Sequence, residues 1–121
     1  MGTYYGEDRS TLGDSVALAV GRLARREVLR DDADTRVSLF TIAPGEQTGW
    51  HRHDHDYLVV NLTDAEFTFD IRQPDGTIVP GATSNRPRDT HTHPVGVEHN
   101  ATNAGSNTIV LVEIEHKRTA P

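Results

Sequence analysis

The chain has 121 residues, a length typical of one domain, and a formal net charge of −6 at pH 7. This acidic balance argues against nucleic acid and membranes as partners, because an acidic protein is not attracted to phosphate backbones or anionic lipid surfaces. The sequence contains no cysteine, so disulfide bonds and thiolate metal sites are excluded, and any metal must be held by nitrogen and oxygen ligands.

Residues 1–25 are predicted to be an N-terminal arm or a strand that is exchanged between two copies of the chain. A helix over residues 14–27 is indicated by its Asp/Ser start, but Gly21 interrupts it, so a strand or an arm fits the pattern as well. The apolar run at 16–20 follows acidic residues, which is typical neither of a signal peptide nor of a membrane span. We therefore expect a cytoplasmic protein.

Short β-rich runs and turn residues alternate through the rest of the chain. Strands are predicted at 57–63, 66–72 and 107–117, with a hairpin turn at 73–77 and a loop from Pro80 to Thr92. Many short strands separated by Gly and Pro predict a sandwich or a barrel. We expect one all-β domain over residues 26–117, followed by a tail at 118–121.

Three of the seven histidines lie at alternate positions in the stretch GWHRHDHDY: His51, His53 and His55. On a strand, alternate side chains share one face and lie about 6–7 Å apart, so His51 and His53 can bind one metal ion. A third ligand must come from another strand. Solvated histidines on a polar strand are the alternative, and His55 is assigned to the rim because its polar neighbours favour a bend.

Two spaced motifs resemble the signature of the cupin superfamily. They read G-x5-H-x-H at residues 45–53 and P-x-G-x2-H-x3-N at residues 94–103. The resemblance covers roughly residues 36–115, and it implies an antiparallel β-barrel of jelly-roll type with three metal ligands, His51, His53 and His99. The first motif is most similar to small single-domain cupins known as beta-alanine degradation proteins.

The chain departs from the cupin pattern in two places. Tyr57 occupies the position at which cupins usually have a ligand glutamate, and Arg88 stands where the second motif should begin with glycine, the nearest upstream candidate being Gly81. Residues 82–93 are therefore predicted to form a longer loop at the barrel mouth, where Arg86 and Arg88 could recognise a carboxylate. Without a carboxylate ligand, the metal would keep its full +2 charge and bind anionic oxygen donors better.

Four further residues are candidates for the site. Tyr57 is either a core residue or a catalytic residue that donates a proton to a bound oxygen. His93 is a candidate acid–base group on the predicted loop, and His91 is predicted to be solvated. Gln47 is either an additional metal ligand or a surface turn residue.

We expect a mononuclear enzyme that binds one divalent metal ion per chain, Fe²⁺ or Zn²⁺ by preference, with Mn²⁺, Ni²⁺, Co²⁺ and Cu²⁺ also compatible with nitrogen ligands. The substrate would be a small carboxylate or dicarbonyl-type metabolite. The reaction would be dioxygenase-like, as in three-histidine cupins that cleave β-diketones, or that of a lyase, isomerase or cyclase. A non-catalytic cupin that binds a metal or a small ligand is the alternative. A homodimer is expected, because small cupins often exchange N-terminal strands or pair their sheets.

Overall fold

The computed structural model describes residues 2–3 and 22–118, and every helix or strand element in these residues is a β-strand. The strands are β1 Gly2–Thr3, β2 Arg25–Asp31, β3 Thr35–Ile42, β4 His51–Arg52, β5 Asp56–Asn61, β6 Ala65–Arg72, β7 Ile78–Asn85, β8 Thr90–His93, β9 Glu98–Asn103 and β10 Ile109–His116. Within the described ranges there is no helix that is long and apolar enough to span a membrane.

The predicted N-terminal arm falls largely outside the described residues, since these omit residues 4–21. At its start, Gly2 pairs with Glu27 and Thr3 with Arg26, so β1 is hydrogen-bonded to β2. The prediction of a helix up to residue 27 is wrong for its last three residues, because residues 25–27 belong to β2, which pairs with β3. Of the predicted tail, only Arg118 is described.

The strands form two antiparallel sheets, which confirms the predicted all-β jelly-roll architecture. One sheet has the order β1-β2-β3-β10-β5-β8 and the other the order β4-β9-β6-β7. The buried core residues, all but Ala24 from the strands of these sheets, are Ala24, Phe40, Ile42, Tyr57, Val59, Ala65, Phe67, Ala101, Ile109 and Leu111. Strand β10 lies in the middle of its sheet, where Ile109 and Leu111 are buried while Val110 and Val112 on the other face are half-buried.

The prediction of a loop from Pro80 to Thr92 is wrong for most of that segment. The same holds for the prediction of a longer loop at 82–93. Strand β7 pairs with β6 along its whole length, and β8 pairs with β5, so only the turn at 86–89 separates two strands. Pro80 is tolerated because β7 lies at the edge of its sheet, where a missing N–H group interrupts no second ladder. Cross-strand pairing therefore overrode the loop-like composition of this segment.

Asn103, the last residue of the second cupin motif, has a structural role. Its side-chain amide donates hydrogen bonds to the carbonyl oxygens of Ile42 and Asn107, at 2.8 Å each, and its Oδ1 accepts one from the N–H of Gly105 at 2.9 Å. The buried side chain thus joins the end of β3 to the turn that precedes β10. This turn directs β10 into the centre of the sheet.

Charged side chains meet in one part of the barrel, where Arg26 and Glu115 are buried and Arg36 is half-buried. Arg26 and Arg36 approach the same carboxylate oxygen, Oε2 of Glu115, at 3.5 and 3.6 Å. The Nε atom of Arg26 donates a hydrogen bond to the hydroxyl of Ser38 at 3.2 Å. Because buried charges are tolerated when they are paired and hydrogen-bonded, these contacts allow polar groups to occupy an otherwise apolar interior.

We predict that Ile109→Ala destabilises the protein by about 2–5 kcal/mol, because it leaves a cavity at a fully buried position. The matched control is Ile78→Ala on the edge strand, where the side chain is 50% exposed and the expected loss is below about 1 kcal/mol. Urea unfolding followed by circular dichroism measures both changes. Equal losses in the two variants would contradict the assignment of β10 to the core.

Candidate metal centre

The three histidines of the two motifs converge on one point. Strand β4 pairs with β9 so that His51 lies directly opposite His99, and His53 follows immediately after β4. The Nε2 atom of His53 is 2.9 Å from Nε2 of His51 and 3.2 Å from Nε2 of His99. All three residues offer ligand atoms within 4.8 Å of one another, the only such group of three or more His, Cys, Asp or Glu residues in the described chain.

Backbone hydrogen bonds hold His53 in place beyond the end of β4. Its N–H donates to the carbonyl oxygen of Val97 at 2.8 Å, and its own carbonyl accepts a hydrogen bond from the N–H of Gly96 at 2.9 Å. Gly96 has a φ of 102°, a conformation that residues with a side chain rarely adopt. The Pro-x-Gly part of the second motif is therefore the turn that docks against the backbone of the first motif.

The orientation of the His51 ring is fixed by the turn before it. Nδ1 of His51 lies 2.7 Å from the carbonyl oxygen of Gly49, and because a carbonyl only accepts, Nδ1 carries the proton and Nε2 presents a lone pair. Gly49 has a φ of 85°, and its N–H donates to Oδ1 of Asn100 at 3.0 Å. A Cβ atom at position 49 would lie 3.3 Å from Cδ2 of Leu23, so glycine suits both the conformation and the space.

Burial keeps the three imidazoles neutral. Loss of solvation lowers the pKa of His51 and His99 well below the usual value, and it lowers the pKa of His53 to about 2. The proximity of the other rings lowers each pKa further, because two neighbouring imidazolium ions would repel each other. Neutral imidazoles are the form that binds metals.

A divalent metal fits this donor set better than a proton does. Nε2 of His51 is an acceptor, and Nε2 of His53 has two close contacts, with His51 and with His99. If Nε2 of His53 carried a proton, that proton would satisfy only one of the two contacts. If Nε2 of His53 carried a lone pair, it would face the lone pair of His51. A cation is attracted by all three lone pairs at once. Nitrogen ligands about 2.0–2.1 Å from a metal are about 2.9 Å apart at a right angle and about 3.3 Å apart in a tetrahedron, a range that contains both observed distances.

The histidine cluster opens into a cavity of about 540 Å³ between the two sheets. Tyr57 lines this cavity, and its ring stacks on His53 at 3.9 Å and on His93 at 5.0 Å between centroids. Phe69 stacks on His99 at 5.4 Å. Aromatic rings thus support the histidine cluster from two sides and restrict the orientations of its rings.

Similarity to one bacterial protein shows which family the chain belongs to. The chain is 39% identical over 89 residues to the beta-alanine degradation protein BauB of Pseudomonas aeruginosa, and the match covers 72% of this chain and 86% of that protein. The chain is a BauB-like cupin. No protein-family profile matches the sequence.

Solved structures agree with this assignment. A cupin domain from Bordetella pertussis Tohama I is 34% identical, with a TM-score of 0.71, and the match covers 80% of this chain and 96% of that domain. Oxalate decarboxylase from Bacillus subtilis, an enzyme with Mn(II) centres, shares the fold with a TM-score of 0.63 at 16% identity. That match covers 84% of this cupin but 28% of the longer enzyme.

The three predicted ligands meet in this cupin, whereas four other candidates lie apart from them. Oε1 of Gln47 accepts a hydrogen bond from Nδ2 of Asn100 at 2.9 Å, and Gln47 is not among the residues that line the cavity. His55 lies in the bend between β4 and β5, also outside the lining. Arg86 and Arg88 are exposed in the turn between β7 and β8.

His91 and His93 are closer to the site than their predicted loop suggested. Both line the cavity, and Nδ1 of His91 is 2.7 Å from Nε2 of His93. The β5–β8 register places His93 opposite Tyr57 and His91 opposite Val59. The prediction of a solvated His91 is wrong because Thr90–His93 is a strand whose alternate residues face inward.

Sequence reasoning missed Glu113, a buried acidic residue that lines the cavity. It lies on β10 opposite Val59, next to Glu115, which is opposite Tyr57. Burial is the main cause that raises the pKa of Tyr57 above the usual value for a phenol, and the negative charges of Glu113 and Glu115 raise it further. Tyr57 is therefore a protonated phenol over the whole physiological pH range.

We predict that His51→Ala, His53→Ala and His99→Ala each weaken zinc binding by at least about 10–100-fold. This is the loss in metal affinity that follows when only a group supporting a metal ligand is removed. His55→Ala and the exposed His116→Ala are the matched controls. Isothermal titration with Zn²⁺ and elemental analysis measure affinity and stoichiometry. A cluster variant that binds one equivalent as tightly as the unaltered protein would show that the metal is held elsewhere.

Proposed function

We propose that this chain is a mononuclear, divalent-metal cupin enzyme that acts on a small carboxylate or dicarbonyl-type metabolite. The observation that carries the proposal is the arrangement of three neutral imidazoles at the wall of a cavity that also contains a protonated phenol and a histidine pair. The name of the Pseudomonas relative refers to the breakdown of a carboxylic acid, which supports a carboxylate among the candidate substrates.

His51, His53 and His99 would hold the metal, with Fe²⁺ and Zn²⁺ as the ions that we propose. When bound, a divalent ion supplies a positive charge that polarises a carbonyl or carboxylate oxygen of the substrate. The three side chains contribute no negative charge, so none of the ion's charge is neutralised by its protein ligands. The Gly49 turn orients the His51 ring and the Gly96 turn holds the backbone of His53, so both turns would help to fix the position of the ion.

Tyr57 and His93 would transfer protons in this site. Tyr57 has its phenolic proton available as a donor, since burial and, to a lesser extent, the neighbouring carboxylates raise its pKa. Burial lowers the pKa of His93 and of His91 below the usual value, which makes His93 an acceptor at neutral pH. The hydrogen bond between the two histidines gives an accepted proton a second place to reside.

We predict that Tyr57→Phe and His93→Gln each lower kcat by about 10²-fold or more, the usual contribution of a positioned acid or base, while zinc or iron content stays at one equivalent. His55→Gln, outside the cavity, is the control. Protein loaded with Fe²⁺ or Zn²⁺ is assayed for oxygen uptake and product formation with a panel of 2-oxo acids and β-diketones. Binding of these compounds without turnover under any condition would instead support the non-catalytic alternative.

A homodimer, with the N-terminal arm exchanged or the sheets paired, also stays a proposal, as does a cytoplasmic location. Leu29 on β2 and Leu62 just after β5 are 54% and 48% exposed, and contact with a second copy would remove such surfaces from water. Light scattering should therefore give twice the chain mass of 13.3 kDa. A single-chain mass at all concentrations between about 1 and 100 μM would contradict the proposal.

A further inference from the structure

Gly81, the glycine nearest to the expected start of the second motif, lies in the wall of the cavity. It belongs to β7, the edge strand of the smaller sheet, and it pairs directly with Phe69 on β6. Residues that lie directly opposite each other in an antiparallel pair project to the same face of the sheet. Phe69 lines the cavity, and its ring stacks on His99. A side chain at position 81 would therefore project into the cavity as well.

The space beside Gly81 is open on most sides. A Cβ atom at position 81 would lie 3.2 Å from Cδ1 of Ile71 and 3.8 Å from Cβ of Phe69. Apart from the chain neighbours of Gly81, no other atom of the described residues lies within 4 Å of that position. The backbone does not require glycine here, because the φ of Gly81 is not positive. A glycine inside a strand weakens the strand and often marks a place that a ligand approaches closely.

The wall between Gly81 and the histidine cluster is apolar. Strand β9, which carries His99, pairs with β6, and β6 pairs with β7. Because neighbouring strands lie about 4.8 Å apart, Gly81 is about 10 Å from β9 across the sheet. Phe67, Phe69 and Ile71 line the cavity on the strand between them. An apolar chain that lies against these side chains would be removed from water, which is favourable.

We infer that Gly81 sets the length of the ligand that this site accepts. The ligand has a metal-chelating head at the histidine cluster and an unbranched apolar tail that lies along β6 and ends in the space beside Gly81. The inference rests on the proposed metal-dependent function. The size of the cavity agrees with it, since the volume of about 540 Å³ falls in the range of roughly 300–1,000 Å³ that accommodates drug-sized ligands. A head alone would leave most of this volume unfilled.

Calorimetric binding to the zinc-loaded protein tests this inference with pyruvate, 2-oxohexanoate and 2-oxooctanoate, which share one chelating head. In the unaltered protein the affinity should rise with tail length, by roughly threefold for each methylene group that leaves water. Gly81→Ala should weaken the binding of 2-oxooctanoate by about threefold and Gly81→Val by about tenfold or more, while pyruvate changes less than about twofold. Both variants should fold, because the φ of Gly81 suits other residues and valine is favoured in strands.

Ser84→Val is the matched control, because it places valine at an exposed position of the same strand outside the cavity lining. It should leave all three affinities unchanged. Equal affinities for pyruvate and 2-oxooctanoate in the unaltered protein would overturn the inference even if the Gly81 variants failed to fold. Equal losses for all three acids in a folded Gly81→Val variant would also overturn it, because they would indicate a structural role. No turnover enters these measurements, so loss of turnover with the ranking intact would count against the proposed function alone.

Discussion

The site depends on the burial of three imidazole lone pairs that face one another. In water each ring nitrogen would be hydrated, but inside the barrel His53 lies within 3.2 Å of two other ring nitrogens and no arrangement of protons satisfies both contacts. Protonation, the other way to relieve lone-pair repulsion, is opposed by burial and by the neighbouring rings. The interactions that remain favourable are those with a metal cation, so the apolar surroundings select the ligand as strongly as the histidines do.

The register of the strands converts a sequence pattern into this geometry. His51 and His99 are distant in sequence, yet they form a direct cross-strand pair between β4 and β9. The turns at Gly49 and Gly96 then set the tautomer of His51 and the backbone position of His53. On the opposite sheet, two neighbouring rows run across the strands, one with Glu115, Tyr57 and His93 and the other with Glu113, Val59 and His91. The histidine cluster and the Tyr57–His93 pair thus come from different sheets, which fixes their positions independently.

The sequence predicted the three histidines that converge and the architecture, because both depend on local spacing. Alternation places His51 and His53 on one face whatever the rest of the chain does, and the second motif brings its own turn. The strands at 78–85 and 90–93 escaped prediction, since their Pro, Asn and Thr content is typical of loops and their extended form comes from pairing with β6 and β5. Metal coordination by Gln47 has no support from its contacts, because its side-chain oxygen accepts a hydrogen bond from Asn100.

Glu113 was missed although the sequence contained a signal for it. In the run from Ile109 to Glu115, the odd-numbered positions share one face, and the first two, Ile109 and Leu111, are apolar as expected of a face turned to the core. The same alternation places Glu113 and Glu115 on that buried face, and a carboxylate is rarely buried without a reason. Glu115 approaches two arginines, and Glu113 is among the residues that line the cavity.

Tyr57, which stands where cupins usually have a ligand glutamate, changes the position of negative charge in the cavity. At that position Tyr57 contributes an uncharged ring that supports His53 by stacking and stays protonated. The carboxylate of the cavity is instead supplied by β10, and Glu113 does not belong to the group of metal ligands. A divalent metal held by the three histidines would have only neutral protein ligands, so it would attract an anionic oxygen donor more strongly than a metal whose charge a carboxylate ligand cancels in part.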